Sequence, residues 1–145
     1  MTEHDQFMHM ALEAARVGAA QGNRPVGSVI MRDGAVISTG YNTVISEGDP
    51  TNHAETVAIR AACRDLDTLE LPGATLYTTM EPCPMCLWAI SIARIDRLVL
   101  GARHAAFPPP DYGEYSVERL LDLSGRKLDL VTGVLTDACE AMRRG

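Results

Sequence analysis

Three residues with metal-binding side chains occur at a spacing that suits a catalytic zinc ion. His53 offers an imidazole nitrogen, and Cys83 and Cys86 offer two thiolates. Zinc binds such ligands in a tetrahedral arrangement, and three protein ligands leave its fourth position open for water or substrate. Glu55 lies two residues after His53, where a carboxylate can carry protons without binding the metal. The pattern therefore predicts a hydrolytic Zn²⁺ centre in which Glu55 is the catalytic acid and base.

Three other uses of these residues were weighed. A structural zinc site needs four protein ligands, and the other three histidines of the chain have no paired spacing with His53, Cys83 and Cys86. A redox pair of the thioredoxin type would use the two cysteines and leave His53 and Glu55 without a role. A disulfide needs an oxidising compartment, which nothing in the sequence indicates. Each alternative stays open but explains fewer of the four residues.

The charge of the chain bears on its partners. Its formal net charge is −6 and its pI is about 5.1, whereas proteins that bind a nucleic-acid backbone usually carry a basic patch or a basic pI. Lys127 is the single lysine, although Arg126, Arg143 and Arg144 can contribute to local basic patches. The charge therefore disfavours nucleic acid as a partner without excluding it.

The length and the chain start indicate where the protein acts. A chain of 145 residues is most simply one domain, covering residues 1–145. No apolar run approaches the roughly 18 residues of a membrane span. The first residues, Met1 to Asp5, lack the basic and apolar regions of a secretory signal. We expect a cytoplasmic protein with no membrane partner.

The hydrophobic pattern alternates between strand and helix spacing. This alternation, after an initial hairpin around Asp33-Gly34, predicts an α/β protein with a three-layer α/β/α sandwich around a mixed sheet of about five strands. The predicted helices cover residues 4–21, 53–64, 83–93, 115–123 and 134–142, and the predicted strands cover 26–31, 35–39, 74–78, 97–101 and 128–132.

Both metal-binding segments fall at predicted helix N-termini. His53 and Glu55 lie in the first turn of one helix, with Thr51 or Asn52 as its N-cap. Cys83 opens the next helix. The N–H groups and the positive dipole end at these positions favour thiolate and anionic groups, which supports metal binding there.

The helix that follows Cys83 is apolar on nearly all sides between Met85 and Ala93. Such a helix has to be buried on more than one side. One side can pack on the sheet, and we expect the other to contact a second copy of the chain, giving a homodimer. The alternative is a helix enclosed within its own domain, although a small domain has little material to surround it. Trp88 lies about 140 degrees round the helix from Cys83 and is expected to be a packing or interface residue.

The order H-x-E followed by P-C-x-x-C is typical of zinc deaminases. The sequence resembles the cytidine deaminase superfamily, in the branch that holds guanine deaminases, fungal-type cytosine deaminases and bacterial tRNA adenosine deaminases. The resemblance runs over nearly the whole chain. Its segments are Pro25-Val26-Gly27, Gly40-Tyr41-Asn42, Asp49-Pro50-Thr51, His53-Ala54-Glu55, Leu76-Tyr77-Thr78 and Glu81-Pro82-Cys83-Pro84-Met85-Cys86.

The resemblance implies a cytidine deaminase-like fold, a zinc cofactor, and the release of ammonia from an exocyclic amine. Asn42 matches a side chain that hydrogen-bonds the substrate in relatives, and Ala54 matches a residue whose backbone N–H contacts the ring edge. Without the resemblance, Asn42 is an ordinary turn residue after a strand.

The residues that bear on substrate choice conflict. Pro84 and Leu87 resemble the residues at these positions in guanine deaminases. Val26 is aliphatic, as in tRNA-acting and cytosine-acting relatives, whereas guanine deaminases carry an aromatic residue at this position. Gly101 to Arg103 and Gly133 to Asp137 favour the tRNA-acting group. Given the acidic charge, we expect deamination of a small free nucleobase or analogue, such as cytosine, guanine, isoguanine or an aminotriazine. The second hypothesis is a tRNA-specific adenosine deaminase, and the third is a non-enzymatic zinc-binding protein of this fold.

Three prolines stiffen the segment from Phe107 to Tyr112, which is predicted to cover the site. Asp111 or Glu114 is a candidate contact for the exocyclic amine, although surface loops often carry acids with no function.

Overall fold

The computed structural model describes residues 1–108 and 111–145. Six helices and five strands form in these residues. In chain order they are α1 (Glu3–Ala20), β1 (Gly27–Arg32), β2 (Ala35–Tyr41), α2 (Val44–Glu47), α3 (Ala54–Leu66), β3 (Thr75–Met80), α4 (Pro84–Ile92), β4 (Arg97–Ala102), a 3-10 turn (His104–Ala106), α5 (Val117–Ser124), β5 (Asp129–Val131) and α6 (Thr136–Arg144). Only the short helix α2 and the 3-10 turn were not predicted from the sequence.

The strands form one mixed sheet in the order β2-β1-β3-β4-β5. β1 pairs antiparallel with β2 and β3, and β3, β4 and β5 run parallel to one another. Asp33 and Gly34 connect β1 to β2 with φ of 54° and 79°, and two positive φ values match the twist of a tight hairpin. The predicted five-stranded mixed sheet is therefore confirmed.

Helices cover both faces of this sheet. Neighbouring strand residues point to opposite faces, and apolar residues occupy both positions, so each face has its own core. One core joins the sheet to α3, α4 and α5 and includes Ile30, Leu76 and Leu98. The other joins it to α1 and α6 and includes Val29, Tyr77 and Val99. The predicted three-layer arrangement is confirmed.

The predicted N-cap of α3 is wrong by one or two residues. His53 is the cap, in an extended conformation with φ −72° and ψ 158°. The Asn52 side chain is occupied elsewhere, since it donates to the Glu47 carboxylate and accepts from the Arg60 guanidinium, both at 2.7 Å. The Thr51 carbonyl accepts from the Thr56 hydroxyl at 2.6 Å. These contacts fix the loop that delivers His53.

Helix α4 is enclosed only in part. Cys86, Leu87 and Ile90 are buried, whereas Met85, Trp88 and Ile92 remain 38%, 40% and 58% exposed. An apolar strip therefore stays open on this helix.

None of the helices in the described residues has both the length and the hydrophobicity that a bilayer span requires.

Candidate active site

The predicted metal ligands meet at one edge of the sheet. Because β1 runs opposite to its neighbours, this edge contains the start of β1 and the ends of β2, β3 and β4. Helices α3 and α4 also begin there, with His53 and Cys83 as their N-caps. The topology therefore places the two metal-binding segments side by side, although 30 positions separate them in the chain.

The three ligand atoms have the spacing that zinc requires. The His53 Nδ1 lies 3.5 Å from both the Cys83 Sγ and the Cys86 Sγ, and all three atoms lie within 4.8 Å of one another. A tetrahedral zinc with ordinary bond lengths would separate a nitrogen from a sulfur ligand by about 3.6 Å. The residues present therefore fit a zinc ion that they hold with one imidazole and two thiolates. Three protein ligands would leave the fourth position of the zinc for water or substrate, as a catalytic zinc site requires.

Local structure explains how these side chains are aimed. Cys83 is extended, with φ −68° and ψ 170°, and the Cys86 N–H donates to its Sγ at 3.5 Å. Gly40 of β2 lets α3 approach closely, since a Cβ there would lie 2.4 Å from the Ala54 carbonyl oxygen. A side chain at this position would push the first turn of α3, with Ala54 and Glu55, away from the sheet.

Charges within the site are tightly linked. A hydrogen bond from the Cys86 thiol, with a second from His53, lowers the pKa of Cys83 to about 4. The same bond raises the pKa of Cys86, because it stabilises the protonated donor. The hydrogen bond to Cys83 raises the pKa of His53. Burial raises the pKa of Glu55 to about 7, a value suited to a group that both takes and gives protons.

A small cavity of about 60 Å³ opens beside these residues. Among the residues predicted to contact substrate, Val26, Asn42, Ala54 and Asp111 line it. The Asn42 Oδ1 also accepts from the Val44 N–H at 3.0 Å, so this side chain has both the turn role and a place at the cavity. Glu114 is exposed and does not line the cavity.

The segment predicted to cover the site is brought to the cavity at one end. Tyr112 lines the cavity, and its ring centroid lies 4.9 Å from that of His104. Phe107 lies at the other end, against α6. Pro109 and Pro110 lie outside the described residues, so the prediction that this segment covers the site stays a prediction.

Sequence reasoning gave no individual cavity role to six residues of the lining, although Tyr112 belongs to the segment predicted to cover the site. They lie in loops, at the end of β3, in the 3-10 turn and in α6; they are Arg24, Met80, Glu81, His104, Tyr112 and Arg143. Of these, Met80 and Glu81 are close in sequence to the metal motif. Two signals were present in the sequence. Arg24 directly precedes the Pro25-Val26-Gly27 segment, and Glu81 directly precedes Pro82-Cys83.

Glu81 holds together the backbone around Cys83. Its carboxylate is 3% exposed and accepts from the His104 N–H at 3.0 Å and from the Val117 N–H at 2.9 Å. Arg103 donates to it at 3.1 Å. The adjoining Pro82 carbonyl accepts from the Tyr115 hydroxyl at 2.7 Å. One buried carboxylate therefore joins the end of β3 to the start of α5 and fixes the approach to the metal ligand.

Removing the Glu81 carboxylate will destabilise the protein strongly. Glu81→Ala leaves two backbone N–H groups and the partly buried Arg103 without their acceptor, and breaking such a buried pair costs about 3 kcal/mol or more. Glu118→Ala is the matched control, because Glu118 also pairs with Arg103 but is 54% exposed, and its loss is expected to cost less than about 1 kcal/mol. Urea unfolding of both variants measures the difference. Equal losses would show that Glu81 has no special structural role.

Comparisons with known proteins identify relatives of this site. The family model for the cytidine and deoxycytidylate deaminase zinc-binding region matches residues 1–102, which include all three metal ligands and Glu55. The tRNA-specific adenosine deaminase of Bacillus subtilis is 34% identical over 144 residues, covering 98% of this chain and 87% of that protein. That of Agrobacterium fabrum is 47% identical and covers 71% and 68%. The guanine deaminase of Bacillus subtilis is 45% identical and covers 70% and 65%.

The similar solved structures belong to the same two groups of enzymes, tRNA deaminases and guanine deaminases. A structure from work on A-to-I editing by tRNA deaminases at the wobble position of transfer RNA superposes with a TM-score of 0.83 at 37% identity, covering 94% of this chain and 98% of that one. The guanine deaminase of Nitrosomonas europaea gives a TM-score of 0.85 at 27% identity and covers 99% and 84%. The fold is thus shared by enzymes with different substrates.

Proposed function

Because the chain belongs to the cytidine and deoxycytidylate deaminase family, we propose that it is a zinc-dependent tRNA adenosine deaminase that converts an adenosine of the anticodon loop to inosine. Hydrolytic deamination follows from the family, and the choice of substrate rests on one observation. In sequence, the similarity to the tRNA-specific adenosine deaminase of Bacillus subtilis extends over 98% of this chain, whereas that to the guanine deaminase of the same organism covers 70% of it. The guanine deaminase structure that covers 99% of the chain is only 27% identical, against 37% for the tRNA deaminase structure.

The expectation of a small free nucleobase as the substrate is wrong. It is overturned by the tRNA-specific adenosine deaminases among the relatives, which include those of Bacillus subtilis at 34% identity and Agrobacterium fabrum at 47% identity. Two features of the sequence led to the wrong substrate. Net charge averages over the whole surface and does not describe the rim of one cavity. Pro84 and Leu87, which favoured guanine, do not line the cavity, since Pro84 is exposed and Leu87 is buried in a core.

The geometry supports a reaction on a single extruded base. The cavity beside the metal ligands is small and lies within the fold, so a stacked base of a polynucleotide has to flip out of the stack to reach it. Val26 gives that cavity an aliphatic wall. We assign the Asn42 amide to a hydrogen bond with the substrate and the Ala54 N–H to the ring edge of the base. Both residues line the same cavity.

Glu55 is the proton carrier in this proposal. His53, Cys83 and Cys86 would hold the zinc ion, which when bound would supply the Lewis acidity that makes water a nucleophile near neutral pH. Glu55 takes a proton from the attacking water, passes it to the ring nitrogen of the base, and delivers a proton to the departing amine. Adenosine and water thereby become inosine and ammonia. Burial of Glu55, at 3% exposure, keeps bulk water from competing for these protons.

Mass spectrometry tests the proposed reaction. Zinc-loaded protein is incubated with an anticodon stem-loop that carries adenosine at the wobble position, and the RNA is then digested to nucleosides. We expect inosine to form together with an equal amount of ammonia. A stem-loop with guanosine at the wobble position is the control and is expected to yield none. Zinc retention without inosine from the first stem-loop would refute the proposed substrate.

We also propose that the protein is a homodimer that buries the apolar strip of α4. The strip consists of Met85, Trp88 and Ile92, and the Arg126 guanidinium lies 5.1 Å from the Trp88 ring centroid. Exposed apolar residues that cluster on one helix favour an isologous contact. This supports the prediction made from the sequence.

Trp88→Glu is expected to give a monomer, because a carboxylate at the centre of the strip would have to lose its hydration in the dimer. Light scattering with size-exclusion chromatography measures the mass. Val17→Glu is the matched control, since Val17 is 43% exposed but belongs to α1 on the other face of the sheet, and this variant should remain a dimer. A monomeric wild type at micromolar concentration would contradict the proposal.

A further inference from the structure

Two arginines at the mouth of the cavity have no part in the reaction described so far. Arg24 and Arg143 line the cavity beside Asp111. Within residues 1–108 and 111–145, neither guanidinium lies within 4.0 Å of a carboxylate. Three carboxylates line the same cavity, but Glu81 is paired with Arg103 and Glu55 is buried, which leaves Asp111 as the exposed carboxylate beside the two arginines. Two positive charges therefore accompany one exposed negative charge, although the whole chain carries a net charge of −6. Such a local excess favours an anionic ligand.

The backbone of Arg24 is fixed by its neighbours. Asn23 is buried, and its side chain accepts from the N–H groups of Ile45 and Ser46 at 3.1 and 3.0 Å. The Val26 N–H donates to the Arg24 carbonyl at 2.9 Å. The backbone of Arg24 is therefore anchored next to Val26, which lines the cavity, and the Arg24 side chain is exposed.

Arg143 approaches the mouth from α6. It is half-buried, with its Cζ 5.5 Å from the centroid of the Phe107 ring. The negative end of the helix dipole explains why basic residues occur in the last turn of α6. It does not explain why Arg143 lines the cavity. Burial lowers the pKa of Arg143, and the charge of Arg24 acts in the same direction. An anion between the two arginines would relieve both effects.

We propose that Arg24 and Arg143 bind the phosphates on the two sides of the target nucleotide, and we call this pair the arginine clamp. The inference rests on the proposed function. A free base carries no phosphate, whereas a nucleotide flipped out of an RNA loop brings one phosphate on its 5′ side and one on its 3′ side. The clamp would therefore select RNA over free bases at the entrance, before the base reaches Glu55.

Binding and turnover of Arg24→Ala, Arg143→Ala and the double variant test the clamp. The ligand is the anticodon stem-loop with a wobble adenosine, over a series of salt concentrations. Loss of one charged contact is expected to raise KM about tenfold with kcat unchanged. The slope of log Kd against log salt should fall by about 0.7 for each arginine removed from a single-stranded contact. Arg24→Lys should keep the slope, because it keeps the charge.

Arg64→Ala is the control, since Arg64 is exposed on α3 and does not line the cavity. If Arg143→Ala fails to fold because it loses its packing on Phe107, Arg24→Ala decides alone. Inosine formation with a KM and a salt slope equal to those of Arg64→Ala would overturn the clamp and leave the proposed function intact. RNA binding that depends on the two arginines, without any inosine, would support the clamp and refute the proposed reaction.

Discussion

Glu55→Gln will bind zinc normally and lose turnover by roughly 100- to 10,000-fold, the usual contribution of a general acid and base. Glutamine has nearly the same shape but its amide cannot take up and release the proton. Glu55 is buried beside the ligands, and burial raises its pKa to about 7, so no solvent-exposed group is expected to replace it. The measurement is the single-turnover rate of inosine formation, together with zinc content by elemental analysis.

Glu13→Gln provides the control for this variant. Glu13 is exposed on α1, and its replacement by glutamine should leave the rate and the zinc content unchanged. A Glu55→Gln protein that forms inosine at close to the wild-type rate would remove Glu55 from its proposed role, whatever its zinc content.

His53→Ala is expected to reduce zinc from about one ion per chain to a small fraction, because two thiolates alone rarely hold a catalytic zinc. The His53 Nδ1 lies 3.5 Å from each sulfur, so its loss removes one corner of the ligand set. Elemental analysis of the purified variant measures the zinc content, and inosine formation should be lost with it.

Thermal unfolding gives a second readout of the same variant. A metal that binds only the folded protein stabilises it, so a chelator should lower the Tm of the wild type and leave that of His53→Ala nearly unchanged. His9→Ala is the control, since His9 is exposed and should behave as the wild type. A full complement of zinc in His53→Ala would show that His53 is not a ligand.

The fold and the metal site were accessible from the sequence because both depend on local signals. The hairpin at Asp33-Gly34 and the alternating strands defined the mixed sheet, which the structure confirms. His53 and Cys83 are the N-caps of two helices that begin at the same sheet edge. Short motifs therefore identified the imidazole and the two thiolates in the sequence, and the predicted sheet is what brings them together.

The rim of the cavity was not accessible in this way. Arg24 follows α1, Tyr112 lies before α5, and Arg143 belongs to α6, so only the packed fold brings them together. Asp111 reaches the cavity, whereas Glu114, three residues later, does not, and the sequence contains no periodic pattern in this segment that would separate the two. The substrate was misjudged for the same reason, since overall charge does not report the charges at one entrance.

The most direct test of the proposed function is a competition between two substrates. Zinc-loaded protein receives equal concentrations of guanine and of an anticodon stem-loop with a wobble adenosine, and inosine and xanthine are measured over time by mass spectrometry. We predict that inosine accumulates and xanthine does not. Accumulation of xanthine while the RNA stays unchanged would contradict the assignment of this chain as a tRNA adenosine deaminase.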